Sequence, residues 1–377
     1  MLENSFPEKG KKKEYILDEI YKAKKKDMSF GSGKILGSMC TEPLELSKKV
    51  HSMFLEANLG NPGLCKGVQE LEENIHTSVA SLIHADSCES LSVGGATEGN
   101  ILALWRARER SGKRKLLLPE SAHFSFVKAC SLLDMEPKYI PLTDDYTLDI
   151  EILKRELNDD TAAVVGIAGT TELGVIDPIE EIAKIAGDTY LHVDAAFGGF
   201  VIPFLRELGD DLPKYDFEVK GVNSLVLDPH KMGLSTVPLG LFFYENGHNL
   251  SIKSPYLTGG EQKTIRGTRS SASVPAFWTA MNLLGKEGYK EIVSECMENT
   301  HYMINRMEEI GLEPVIEPVM NIASFHCDEP EKIVEKVKEK GWNISLTVNP
   351  PGLRFVMMPH VRKDSIDKIA KIIGDII

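Results

Sequence analysis

Between Ser90 and Tyr244, short apolar runs alternate with helical patterns, and this alternation limits the possible folds more than any other feature of the chain. Strand-like runs fall at 90–93, 115–118, 138–142, 161–168, 189–194, 222–228 and 239–244. Patterns with the 3.6-residue period fit between them at 97–110, 123–134, 149–157 and 178–186. The last helix is well punctuated, with Asp177 as N-cap, Pro178 at its first position, Glu180 at the third and Gly187 beyond its end. Val164–Ala168 and Leu191–Val193 are continuously apolar rather than alternating, as in parallel strands covered on both faces. The sequence therefore predicts an α/β chain whose mostly parallel seven-stranded sheet is flanked by helices.

The flanks read differently. Leu46, Val50, Met53 and Phe54 mark one helix, and Leu71, Ile75, Val79 and Leu82 mark another. The turn-rich stretch Asn58–Leu64 separates them. After the sheet, helices are expected at 273–285 and 288–310. Strand 321–327, helix 330–340, strands 343–348 and 352–358 and helix 364–376 follow. A length of 377 residues suggests two or three domains. The expected division is a helical amino-terminal segment over 1–60, a large domain over 61–280 and a small C-terminal α+β domain over 281–377.

Charge and cysteine usage narrow the function. A net charge of −13 argues against a nucleic-acid surface. Lysines do cluster between Lys9 and Lys26, but Ile16, Ile20 and Ala23 share a helical face there, which favours a solvated amphipathic helix. The six cysteines include no C-x-x-C pair, and the amino terminus shows no secretory apolar run, so a reducing cytoplasm is expected. No apolar run approaches the roughly 20 residues of a membrane span.

Four stretches carry chemistry. Gly221–Leu227 reads as a buried strand stopped by Asp228-Pro229, which delivers Lys231 near a carboxyl end, where open α/β sheets bind ligands. Such a lysine is either a solvated surface amine or one desolvated in a pocket and able to condense with a carbonyl. Leu91–Asn100 is a strand, a Gly94-Gly95 turn and a helix start, fitting either a plain tight turn or an anion site. It matches neither the Walker pattern nor G-x-G-x-x-G. His123 opens a helix, as a structural hydrogen-bonder or as a flat partner for an aromatic ligand. Asp194 ends an apolar strand, where a buried carboxylate needs a cationic partner: a metal, an arginine or a protonated pyridine. His192 is the one candidate second metal ligand and is expected on the opposite face, so the pyridinium suits better and no metal is expected.

Gly94-Gly95 with Thr97, then His123, Asp194 and Lys231, come in this order on successive strand ends. In this the chain resembles the group II pyridoxal-phosphate decarboxylases, from about Gly37 to about His360, and most specifically at H-V-D-A-A and D-P-H-K-M. The stretches G-S-M-C, N-L-G-N-P-G-L, A-H-F-S-F, G-I-A-G-T-T-E-L-G and L-R-F-V-M-M-P-H look most like the archaeal L-tyrosine/L-aspartate decarboxylases. Those enzymes make tyramine for methanofuran or β-alanine for coenzyme A. The resemblance implies the aspartate-aminotransferase-like fold (fold type I), pyridoxal 5′-phosphate as cofactor and a homodimer with active sites at its interface. It also implies that the segment 1–60 packs on the partner.

The resemblance further implies that Lys231 binds the cofactor covalently, Asp194 keeps its ring nitrogen protonated, His123 stacks on the ring and Ala196 packs beneath it. Gly95, Ala96 and Thr97 would cradle the phosphate with His230 beside it, and Thr170 would reach the cofactor edge. Arg354 would grip the substrate α-carboxylate through a bidentate guanidinium. In the glycine-hinged stretch 254–269, Tyr256 would act as proton donor, and Gly267 and Thr268 would complete the partner subunit's phosphate pocket. Other fold-type-I lyases, acting on phosphate esters or cysteine, share the lysine strand. Cys40 in G-S-M-C fits a cysteine-handling enzyme, though more simply an ordinary buried thiol. Outside this chemistry, a phosphosugar- or nucleotide-binding α/β protein would use the Gly94-Gly95 turn alone.

Overall fold

The computed structural model describes residues 5–247, 250–255, 261–269 and 271–377. The chain begins with helices α1 (Lys13–Lys24), α2 (Glu45–Met53) and α3 (Lys66–Leu82). It then alternates through β1 (Glu89–Val93), α4 (Ala96–Ser111), β2 (Lys115–Pro119), α5 (Ser125–Leu133), β3 (Glu136–Ile140), α6 (Ile150–Glu156), β4 (Thr161–Ile167), α7 (Ile179–Ala186) and β5 (Tyr190–Asp194). Helix α8 (Ile202–Leu208) leads to β6 (Val222–Leu227) and β7 (Gly240–Tyr244). These strands form one seven-stranded sheet ordered β1-β7-β6-β5-β4-β2-β3. Only β7 runs against its neighbours, pairing antiparallel with both β1 and β6. The parallel strands therefore end on one edge of the sheet, the edge from which the site is built.

The sheet is covered on both faces, and the apolar runs of β4, β5 and β6 are wholly buried as their composition requires. One face packs against α3, α7 and α8, and the other against α4 and α5. Each fully buried leucine, isoleucine or valine removed from water contributes about 1.5–3 kcal/mol. Helix α4 lies very close to the sheet because Gly99 has no side chain, and a Cβ there would meet Val226 at 2.5 Å.

Several local expectations shift. Asp177 does not cap α7; it is fully buried, and its carboxylate accepts the backbone N–H groups of Leu148 and Ile167, each at 2.8 Å. Tying the end of β4 to a neighbouring loop has displaced the cap. Helix α5 starts at Ser125 rather than His123, because the His123 ring accepts the Ser125 N–H and so sits before the first turn. Helix α8, with Pro203 in its first turn, was not legible as a helix.

Helix α9 (Ser273–Glu308) runs through a break at Gly285, whose φ of 58° splits it close to where two helices were expected. Strands β10 (Ile322–His326), β11 (Ser345–Thr347) and β12 (Gly352–Val356) form a three-stranded sheet with β12 central. Helices α10 (Pro330–Glu339) and α11 (Lys363–Gly374) complete that unit and share its separate core. The amino-terminal segment contributes here too. Leu36 is buried in this core, its N–H donates to the Asn343 carbonyl and its own carbonyl accepts the Val356 N–H. Residues near 36 thus belong to the C-terminal unit, while α1 buries none of its residues.

Candidate active site

Lys231 and Asp194 line the same cavity of about 300 Å³, at the carboxyl ends of β6 and β5. Gly94, Gly95, Ala96 and Thr97 line it from the end of β1, and Ser121 and His123 from beyond β2. Gly169 and Thr171 follow β4, and Ala196, Phe197, Asp228, His230 and Met39 complete the wall.

The lysine end is held by Asp228. This buried carboxylate accepts the Ala96 N–H through Oδ1 at 2.7 Å, and its Oδ2 stands 3.4 Å from Lys231 Nζ. The Lys231 side chain keeps 19 % of its exposure, so the amine is mostly withdrawn from water yet open to the cavity. His230 packs beside the glycine turn, its Nδ1 2.6 Å from the Leu239 carbonyl. Burial pulls the His230 pKa down, but a hydrogen bond with Cys40 and the charge of Asp228 outweigh it and leave it raised. Gly95 has φ of +119°, a conformation that side-chain-bearing residues rarely adopt.

The acid end is a hydrogen-bonded chain. Asp194 Oδ1 accepts the Ala196 N–H at 3.0 Å and Oδ2 accepts Asn100 Nδ2 at 2.9 Å. Asn100 Oδ1 meets His192 Nε2 at 2.8 Å, and His192 Nδ1 meets Ser224 Oγ at 2.8 Å. The expected placement of His192 on the opposite face is therefore wrong: residues i and i+2 of a strand share a face, and Asn100 joins the two. Burial lowers the His192 pKa to about 4, so the ring is neutral. A neutral ring facing the Asn100 oxygen donates from Nε2 and accepts at Nδ1. His123 is likewise lowered, first by burial and then by Lys231, with Asp194 opposing.

Other expected residues are placed less simply. Ala96 spends its N–H on Asp228, and Gly94 spends its own on Glu98 Oε2 at 2.7 Å. Ser121, which was not anticipated, offers a buried hydroxyl on the cavity wall with no partner. Thr170 does not reach the main cavity: its hydroxyl accepts the Val175 N–H, and Gly169 and Thr171 face the cavity instead. Gly267 and Thr268 do not line the cavity either; the Gly267 carbonyl packs against Gly60. Arg266 lies against Gly94 and pairs with Glu98 at 3.1 Å. Tyr256 lies outside the described residues.

Arg354 sits at the centre of the small sheet, 6 % exposed. Its Nη1 donates to Ser345 Oγ at 2.8 Å and reaches the Gly37 carbonyl at 3.4 Å, while Nε and Nη2 are buried without partners. Burial lowers its pKa to about 10, with Glu172 opposing. Arg354 is not in the cavity wall, but Gly37, which it contacts, is two residues from Met39, which is. Glu172 carries the β4 loop onto this unit: its carboxylate accepts the Val348 and Asn349 N–H groups and its carbonyl accepts the Ser324 hydroxyl.

These residues fit pyridoxal phosphate. The desolvated amine suits its aldehyde, the carboxylate suits its ring nitrogen, and the unpartnered Ser121 hydroxyl and glycine turn suit its phosphate. Comparison with known proteins agrees. Residues 68–328, more than half of the chain, match the pyridoxal-dependent decarboxylase conserved domain. A probable L-tyrosine/L-aspartate decarboxylase of Methanococcus aeolicus is 41 % identical, over 94 % of this chain and 96 % of that one. An L-aspartate/L-glutamate decarboxylase of Pyrococcus horikoshii is 41 % identical over 99 % of both. Among solved structures, a Burkholderia pseudomallei sphingosine-1-phosphate lyase superposes with a TM-score of 0.90 at 24 % identity, covering 99 % of this chain and 92 % of its own. At that identity the match speaks for the fold alone, which is fold type I. The chain belongs to the pyridoxal-dependent decarboxylase family.

Proposed function

We propose that this enzyme removes the α-carboxylate of L-tyrosine, with L-aspartate as the second reading. The observation that carries an amino-acid substrate is the buried edge of Arg354. A guanidinium with Nε and Nη2 desolvated and unpaired is costly unless an anion completes it, and those two donors match a carboxylate. Bound at Lys231, the cofactor supplies an electron sink for the pair left when carbon dioxide departs. In this reading Asp194 would hold the ring nitrogen protonated, His123 would pack on the ring, and Gly95, Thr97, Ser121 and His230 would hold the phosphate. Tyr256 is the proposed proton donor.

The choice of tyrosine rests on a second cavity of about 280 Å³ that shares Ser121, His123, Phe124 and Thr171 with the first. Leu142, Tyr146, Leu173 and Val348 give it apolar walls, and its charged lining among the described residues is acidic, from Glu120 and Glu172. Such a slot suits a phenol better than a second carboxylate. The aspartate reading is supported by the two relatives, which both carry L-aspartate in their names. Release of carbon dioxide from tyrosine, aspartate, glutamate and DOPA, measured side by side, tests this. Aspartate turned over much faster than tyrosine would reject the slot. Arg354→Lys should lower kcat/KM for every amino acid substrate by roughly 10- to 100-fold, as for loss of one charged bidentate contact. Unchanged kinetics would remove Arg354 from the site.

We also propose a cytoplasmic homodimer, making tyramine for methanofuran or β-alanine for coenzyme A. Helix α1 supports the dimer: Tyr15, Ile16, Leu17, Ile20 and Tyr21 are all exposed, an apolar surface suited to a second copy. Gly267 and Thr268, away from the cavity of their own chain, are proposed to serve the partner's. Six free cysteines suit a reducing compartment. Light scattering of a variant lacking residues 1–24 tests the dimer, which should then weaken.

A further inference from the structure

A third cavity lies on the opposite edge of the sheet, at the amino ends of β5 and β6. It encloses about 270 Å³ and is lined by Arg106, Arg110, Tyr190, Asn223 and Glu245. Arg106 is 6 % exposed and lies over the Tyr244 ring, its guanidinium carbon 3.8 Å from the ring centre. Among the described residues it makes no ion pair and no hydrogen bond of normal geometry, and Arg110 on the next turn makes none either. The Tyr190 hydroxyl, between Ser224 and Arg106, is buried and also without a well-formed hydrogen bond.

The nearby carboxylates are turned elsewhere. Glu245 accepts the Asn223 side-chain amide at 2.7 Å, and Glu89 accepts the Tyr244 hydroxyl and pairs with Lys263. Stacking on Tyr244 satisfies one face of the Arg106 guanidinium and draws extra electron density from the hydrogen bond to Glu89. It leaves the N–H edge, which is the part that recognises oxyanions. A guanidinium mostly withdrawn from water is costly without an anion, and a second arginine, a hydroxyl with no well-formed hydrogen bond and an open volume beside it are the parts of an anion site.

We propose that this cavity binds a small oxyanion, a phosphate group or a carboxylate, held by Arg106 and Arg110 with Tyr190. It is separate from the cofactor cavity: helix α4 carries the glycine cradle on its first turn and these arginines on its last turns. The test is calorimetric titration of the enzyme loaded with pyridoxal phosphate, so that the cofactor's own phosphate pocket is filled. Inorganic phosphate and, separately, acetate are titrated at constant ionic strength, and the one that saturates identifies the source. Arg110 is exposed, so Arg110→Gln keeps the fold and should weaken binding about tenfold or more, the scale of one charged hydrogen bond. Arg106→Gln should abolish it, and Arg108→Gln, outside the cavity, should bind as wild type. Saturating anion should leave KM for the amino acid unchanged. No saturable binding of either ion, wild-type affinity in Arg110→Gln, or competition with the amino acid would each overturn the proposal.

Discussion

The two ends of the cofactor cavity are held by different means. At the lysine end, Asp228, His230 and Lys231 come from one short turn, tied to the rest by the Ala96 N–H on Asp228 and the Leu239 carbonyl beside His230. At the acid end, Asp194 depends on Asn100 of α4, His192 of β5 and Ser224 of β6, all buried and linked in series. One end is a local device and the other is assembled by the tertiary fold. Damage to the first should be confined to chemistry, while damage to the second should reach stability as well.

The sharpest way to break this contrast is Lys231→Ala. It should abolish carbon dioxide release while leaving the unfolding midpoint nearly unchanged, because the amine faces the open cavity and Asp228 keeps the Ala96 N–H as a partner; turnover at the wild-type rate would refute the lysine's role. Asp194→Asn should cost on the order of 10³-fold in kcat, the scale of losing one preorganised charge in a dry site. Denaturant titration of the same variant should show lost stability. A mild kinetic effect would point to another partner for the ring nitrogen. Asn100→Ala leaves the donor of His192 and an oxygen of Asp194 unmatched, and should destabilise by about 1–3 kcal/mol for each group left unsatisfied. An Asn100→Ala protein as stable as wild type would erase the difference between the two ends.

The smallest effect concerns pH. His192 is held near 4 by burial, below its ordinary value of 6.5, so the unfolded chain binds the proton more readily. Its contribution to stability is complete above 6.5 and is lost as pH falls toward about 4. Asp177, raised to about 6 by burial from 3.8, has the opposite slope: its contribution is complete below 3.8 and is lost as pH rises toward 6. His192→Gln should therefore make stability fall less steeply on acidification in that window, and Asp177→Asn should make it fall more steeply. Equal slopes in all three proteins would contradict both assignments.

Legibility in the sequence followed the same division. Strands β4, β5 and β6 could be read because a strand covered on both faces must be continuously apolar. Lys231 and Asp194 could be placed on one edge because each ends such a strand. Asn100 could not, since nothing in an amide one turn into a helix shows that it will face two side chains of β5. His192 shares a face with Asp194 because the two stand two positions apart on β5, and the loop at Leu148 claims the Asp177 carboxylate that would otherwise cap α7. Glu172 acts through contacts between segments distant in sequence, and Ser121 through its place on the cavity wall, neither of which composition encodes.

Glu172 also governs how the two units can move. Three hydrogen bonds that Glu172 accepts, from the Ser324 hydroxyl and the Val348 and Asn349 N–H groups, fasten the loop after β4 to the small unit. The strand bearing Arg354 lies between the segments so fastened. Rocking the small sheet away from the large one would have to undo that clasp, which holds the strand of Arg354 in place. On the proposed reading of Arg354, an incoming carboxylate would meet a guanidinium held in place beforehand.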